Sequence, residues 1–174
     1  MKKLIITIVL ALMPILFFGQ TAFDKFDGKD DVTAVLVTKK MFGMIGGIDS
    51  KDKEGQQYLA LIKKLHNLKV FTTTSAKTGA DMKATADKYA KSAGLEELMR
   101  VTDKGQNIRI LIKSGTKETQ VKELLMFIEG SGKDNQTVLM SLTGLFDLNE
   151  IALLTDKMNL PGGDGLKKAS KIKK

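Results

Sequence analysis

Hydrophobic residues follow a helical spacing in much of the first half of the chain. Runs of β-branched residues in that half predict strands at Val32–Thr38 and Val70–Thr74. A short helix is expected at Met41–Ile45, and apolar residues at helical spacing predict a longer helix at about Asp52–His66. A further apolar stripe precedes Gly94, a residue type that commonly ends helices. This stripe consists of Met82, Ala86, Tyr89, Ala90 and Ala93.

From Leu95 onward the apolar residues alternate with a period of two, which is typical of strands. The stretches "LEELMRVT" and "NIRILIK" flank a turn sequence at Asp103–Gln106 and predict a hairpin. Two more strands are expected, "VKELLMFIE" from Val121 and "TVLMSLTG" from Thr137. Four consecutive strands predict an antiparallel meander.

A last helix is expected at Leu148 to about Asn159, where Asp147 and Glu150 resemble an acidic capping box. The strands are grouped rather than strictly alternating with helices, which is typical of the α+β class. The predicted fold is therefore α+β, a mainly antiparallel sheet that ends in a four-stranded meander, with helices packed on one face. We expect residues 20–160 to form a single domain and residues 161–174 a disordered basic tail.

The strands of the meander carry apolar residues on both faces. A sheet with helices on one face should be polar on the other face, and this sheet is not. The apolar second face is expected to include Leu111, Leu125, Phe127 and Leu139. Two interpretations stay open: another segment or a second copy of the sheet covers this face, or the face is a surface that binds a protein or an apolar ligand.

The first residues have the pattern of a secretory signal peptide. Lys2 and Lys3 precede an uncharged apolar run, Leu4–Phe18, which is shorter than the roughly 20 residues of a membrane-spanning helix. We expect residues 1–19 to be a signal peptide and the protein to be exported, either periplasmic or secreted. The chain contains no cysteine, so neither a disulfide nor lipid attachment at a cysteine is expected, and the protein is not predicted to be a lipoprotein.

The positive charge of the chain is concentrated at its end. Removing Lys2 and Lys3 from the 28 basic residues leaves 26 against 20 acidic residues, and five of those lysines stand in the closing stretch "LKKASKIKK". The rest is nearly neutral, which argues against a nucleic-acid-binding domain. For the tail two interpretations stay open: a solvated segment, or weak contact of its lysines with anionic lipid or lipopolysaccharide.

No catalytic, cofactor or metal site is predicted. In "VTKKMFGMIGG", residues 37–47, the lysines precede the glycines, whereas a P-loop needs its lysine after them, so we interpret this stretch as a strand that enters a helix. His66 is the only histidine, and we interpret it as a residue favoured at the end of a helix.

Two further hypotheses belong to other functional classes. The first is a small hydrolase that uses carboxylates such as Asp147 or Glu123. The second is a carrier of an apolar ligand, whose cavity would be lined by Met126, Phe127 and Met140.

Three stretches resemble a known family. They are "FDKFDGKDDVTAVLVTKKMF" near the expected mature start, "VKELLMFIEG" from Val121, and "VLMSLTGLFDLNEIALL" from Val138 to Leu154. They are similar to the domain-of-unknown-function family 4252, which occurs mostly in exported proteins and lipoproteins of Bacteroidetes-type bacteria. The resemblance spans essentially the whole mature chain, but its motifs are structural and it implies no activity, cofactor or catalytic residue.

Together these patterns predict an exported, non-catalytic module of the cell envelope. We expect it to bind a protein partner or to self-associate through the apolar sheet face that includes Leu111, Leu125, Phe127 and Leu139.

Overall fold

The computed structural model describes residues 22–47, 50–103, 105–117, 119–131 and 135–151. The six strands are β1 Thr33–Thr38, β2 Leu65–Thr73, β3 Glu96–Asp103, β4 Gln106–Ser114, β5 Gln120–Ser131 and β6 Gln136–Asp147. The helices are α1 Lys39–Gly46, α2 Lys53–Ile62 and α3 Ala76–Ala93, with 3-10 turns at Asp24–Phe26 and Leu148–Glu150. The expected signal peptide, the basic tail and the expected last helix beyond Ile151 lie outside the described residues.

The strands form one antiparallel sheet in the order β1-β2-β6-β5-β4-β3. The last four strands are consecutive neighbours, so the predicted meander is confirmed, including its first turn, where Asp103 pairs with Gln106. Strand β2 joins this meander beside β6, and β1 is added at the far side of β2. The α+β class predicted from the grouping of the strands is therefore observed.

The helices are divided between the two faces of the sheet. Along β5, Leu124 and Met126 pack in a core with residues of α1 and α2, whereas Leu125 and Phe127 pack in a second core with α3. We call these the α1–α2 face and the α3 face. The expectation that the helices pack on one face is therefore wrong. The two cores explain why the central strands are apolar on both sides.

Helix α2 begins as predicted but ends earlier. Asp52 caps it by accepting a hydrogen bond from the Gly55 N–H at 2.7 Å. The helix ends at Ile62, and β2 already begins at Leu65, which is buried with Leu68 in the core of the α1–α2 face. Pairing with strands on both sides outweighs the local helical spacing. His66 accordingly lies in β2 with its side chain exposed, and its interpretation as a helix-end residue is wrong.

Two predicted helix-end signals are confirmed. Gly94 adopts the left-handed conformation, with φ of 67°, and Leu95 N–H donates to the Ala90 carbonyl at 2.9 Å. After β6, the Glu150 carboxylate accepts a hydrogen bond from the Asp147 N–H at 3.1 Å, as in a capping box.

Candidate functional site

The four residues expected to form an interaction surface lie beneath α3. Leu111, Leu125, Phe127 and Leu139 are buried, and they pack against Met82, Ala86, Tyr89 and Ala90 of the helix. Phe23 and Phe26 complete this cover, with the Phe23 ring edge-on to Tyr89 at 4.9 Å between centroids. In this conformation the four residues are therefore core and not surface. The alternation in the sequence predicted an apolar face but did not identify α3 as the segment that covers it.

The three residues expected to line a carrier cavity do not converge. Met126 and Met140 are buried on the α1–α2 face, whereas Phe127 is buried on the α3 face. Successive residues of a strand point to opposite sides of the sheet, so Met126 and Phe127 cannot share one cavity. The prediction that Met126, Phe127 and Met140 line one cavity is therefore wrong.

The two carboxylates considered for hydrolysis are used separately. Glu123 pairs opposite Thr143 on β6, whereas Asp147 lies four residues farther along the same strand, about 13 Å away at roughly 3.3 Å per residue. Glu123 accepts a hydrogen bond from the Tyr89 hydroxyl at 2.6 Å, and Asp147 accepts one from the Thr119 hydroxyl at 2.5 Å. The sheet therefore does not bring Glu123 and Asp147 together as a catalytic pair.

Glu123 is nonetheless the most unusual acid of the described residues. Its side chain is only 8% exposed, and burial raises its pKa, while the Tyr89 hydrogen bond and the nearby Lys113 charge oppose that rise. Burial together with the bond to Glu123 also raises the pKa of Tyr89, so Tyr89 is a neutral donor at ordinary pH. The hydroxyl of Thr143, opposite Glu123, is buried without a hydrogen-bond partner. The hydrogen bond between Tyr89 and Glu123 ties α3 to β5 inside the mainly apolar core of the α3 face.

The remaining chemical signals concern metals and membranes. Among the described residues, no three histidine, cysteine or acidic side chains are gathered as metal ligands would be. Within the same part of the chain, none of the helices has the length and apolar character that crossing a membrane requires.

Exposed apolar side chains are concentrated at β1 and at the helix that follows it. Val35 and Leu36 of β1 are 45% and 42% exposed, and Met41 and Met44 of α1 are 49% and 62% exposed. Strand β1 pairs with β2 on one side, and no described strand pairs with its other side. The strand "TAVLVT" contains no charge, proline or glycine, and its pairing with β2 runs without a bulge from Thr33 to Thr38. We call β1 with Met41 and Met44 the β1 edge.

The opposite edge of the sheet, β3, is protected in a different way. It carries Glu96, Glu97 and Arg100, and its pairing with β4 is interrupted by a bulge between Glu97 and Met99. Glu97 forms ion pairs with Arg100 and with Arg109 of β4, and the Arg100 hydrogen bond is the main cause that lowers its pKa. Charges and bulges are common protections of edge strands against pairing with other chains. The two edges therefore differ in their readiness to accept another strand.

Comparison with protein families shows to which family the chain belongs. The sequence profile described as "Domain of unknown function (DUF4252)" matches residues 26–154, which is most of the chain. The chain belongs to this family. No curated protein and no solved structure matches the chain.

The β1 edge of this DUF4252 member is the feature that the sequence interpretation missed. Val32–Thr38 was predicted as a strand, but its place at the edge depends on pairing with β2, which is distant in sequence. One signal was present in the sequence: the strand is uncharged, while Asp30 and Asp31 precede it and Lys39 and Lys40 follow it.

Proposed function

We propose that the chain is an exported, non-catalytic module of the cell envelope that binds a protein partner by strand addition at the β1 edge. One observation carries the proposal: β1 is an exposed, regular and uncharged edge strand, whereas the other edge is charged and bulged. In strand addition the partner supplies a strand whose backbone pairs with the free edge, and neighbouring side chains give specificity. Export is supported by the signal-peptide pattern of residues 1–19.

The non-catalytic part of the proposal is supported by how the candidate carboxylates are used. Glu123 binds a core tyrosine, and Asp147 binds the Thr119 hydroxyl at the end of β6. Both are engaged with the protein's own groups, which accounts for them without a substrate.

Site-specific photo-crosslinking in the native envelope tests the proposal. A photoreactive residue at Leu36 on the β1 edge is expected to give crosslinked protein products. The same residue at Leu98, which is 38% exposed on β3, is the matched control and should give few. Adding Val35→Lys, which places a charge on the edge, should abolish the Leu36 products without changing the fold. Equal products from both positions, or products that survive Val35→Lys, would overturn strand addition at β1.

The second candidate is a small hydrolase that uses Glu123. It is favoured by the raised pKa of this buried acid, because perturbed carboxyl groups are common at catalytic sites. Purified protein and its Glu123→Gln variant would be assayed against a panel of esters, peptides and glycosides. Turnover that the variant loses while it stays folded would favour this candidate over the binding module.

A further inference from the structure

We propose that the partner at the β1 edge is a second copy of this chain, joined edge to edge so that the two sheets become one continuous antiparallel sheet. This inference rests on the proposed function, since it names the occupant of the same edge. It is carried by the distribution of charge on either side of β1.

The segment "DDVTAVLVTKK" is acidic at one end, uncharged in the middle and basic at the other end. Asp30, Asp31, Lys39 and Lys40 are all exposed. Within the part of the chain that the structure describes, Asp30, Lys39 and Lys40 form no ion pair. An antiparallel pair of two such segments places the acidic end of each beside the basic end of the other. A parallel pair would place like charges together, so the charges select the antiparallel orientation.

The geometry of an antiparallel ladder also restricts the register. Directly opposed residues alternate between hydrogen-bonded and non-hydrogen-bonded pairs, so a two-fold axis must pass through a residue that faces its own copy. With the axis at Val35, the ladder runs from Thr33 to Val37, so the turn with Asp30 and Asp31 of one copy lies beside the start of α1, with Lys39 and Lys40, of the other copy. This contact between opposite charges occurs twice, because of the symmetry. Moving the axis by one residue shifts these partners by two positions and separates the charges.

The uncharged centre fits the same register. Val35 would face its own copy, and Ala34 would face Leu36, so apolar side chains oppose one another throughout the middle of the ladder. Val35 lies on the same face as Val37, which packs with α1 in the core of the α1–α2 face. The exposed Met41 and Met44 of both copies would therefore lie on one side of the joined sheet, where they add apolar area to the strand contact.

Complementary charge exchange tests this arrangement. Lys40→Glu and Asp30→Lys each turn two attractive pairs of the symmetric dimer into two repulsive pairs. Each variant alone is expected to raise the dissociation constant of the dimer by roughly tenfold. In an equimolar mixture, opposite charges face each other again at both ends, so a heterodimer is expected to form with nearly the original affinity. Lys88→Glu, an exposed lysine on α3, changes the net charge as Lys40→Glu does and should leave the affinity unchanged.

Sedimentation velocity of the purified protein over a range of concentrations measures these constants. A dimer that each single exchange weakens, that the mixture restores and that Lys88→Glu leaves intact supports the inference. A monomer at every concentration, or a mixture that stays monomeric, overturns it. If the protein is monomeric but crosslinking from Leu36 still depends on Val35, the proposed edge binding stands and only the second copy is wrong. If neither self-association nor Val35-dependent crosslinking is found, both proposals fall.

Discussion

Removal of the Tyr89 hydroxyl tests whether a buried carboxylate holds α3 on the sheet. The hydroxyl donates to Glu123 Oε1 at 2.6 Å, and the two side chains are only 6% and 8% exposed. Tyr89→Phe keeps a ring against Phe23 but leaves the carboxylate without this donor. Leaving a buried group unsatisfied costs about 1–3 kcal/mol, and charged groups cost more. We therefore expect the free energy of unfolding to fall by at least about 1 kcal/mol at neutral pH.

The pH dependence of Glu123 provides the control. Burial raises its pKa above the ordinary value of 4.5, so the folded state holds the proton more tightly than the unfolded chain does. Its contribution to stability is therefore greatest at low pH and is lost as the pH rises through the raised pKa. Glu123→Gln keeps an oxygen acceptor for Tyr89 and removes the charge. It should be more stable than the parent at neutral pH and similar to it well below pH 4.5.

Urea unfolding followed by far-UV circular dichroism measures both effects. Tyrosine fluorescence is unsuitable, because Tyr89 is one of only two tyrosines and the chain has no tryptophan. Tyr89→Phe should cost more at neutral pH than at low pH, and more in the parent than in the Glu123→Gln background. Equal costs under all four conditions would refute the inference that ionisation of Glu123 sets the strength of its contact with Tyr89.

Three further changes have expected outcomes. Gly79→Ala would place a Cβ 2.7 Å from Thr137 Oγ1, and destabilisation by overpacking, about 1–3 kcal/mol, should exceed the gain in helix propensity of about 1 kcal/mol. In urea unfolding, adding Thr137→Ala should recover most of the lost free energy of unfolding. An unchanged free energy of unfolding in Gly79→Ala would contradict this close approach. Gly94→Ala forces a side chain into the left-handed region and should cost about 1–2 kcal/mol in thermal unfolding, more than Gly94→Asn costs. The hydrogen bond from the Thr78 hydroxyl lowers the pKa of Asp31 below 3.8, so Asp31 stabilises the fold above that value and ceases to do so as the pH falls through the lowered pKa. Asp31→Asn should therefore reduce the loss of stability at acid pH. An unchanged loss would show that the hydrogen bond between Thr78 and Asp31 is absent.

Local signals predicted those parts of the fold that depend on neighbouring residues. The period-two alternation after Leu95 and the turn at Asp103–Gln106 predicted the meander, and Gly94 predicted the end of α3. The end of α2 could not be predicted in this way. Leu65 continues the helical spacing of the preceding residues, but it is buried in the core of the α1–α2 face and pairs with Gly144 of β6, which is distant in sequence. Tertiary pairing, which the local pattern does not contain, decides this boundary.

The candidate surfaces show the same division between local and distant information. The pattern predicted correctly that Leu125 and Phe127 belong to an apolar face. Whether such a face is covered depends on where a separate amphipathic helix packs, and α3 was recognised as a helix without its position being evident. Leu125 is therefore core in the structure, although its spacing alone is equally compatible with a docking surface.

The composition of β1 has opposite meanings in the centre and at the edge of a sheet. An uncharged "TAVLVT" is ordinary for a central strand, where both faces are buried, but at an edge it leaves apolar side chains beside unpaired backbone groups. A strand that needed only protection would carry charge within its length, as β3 does at Glu97 and Arg100. The charges near β1 instead flank the strand at Asp30 and Lys40. In the proposed pairing they would leave its backbone free and restrict only the orientation of the incoming strand. This placement favours selective pairing over simple avoidance of pairing. Charges that prevent pairing need to lie within the strand, whereas charges that select the orientation of a partner strand need to lie at its ends.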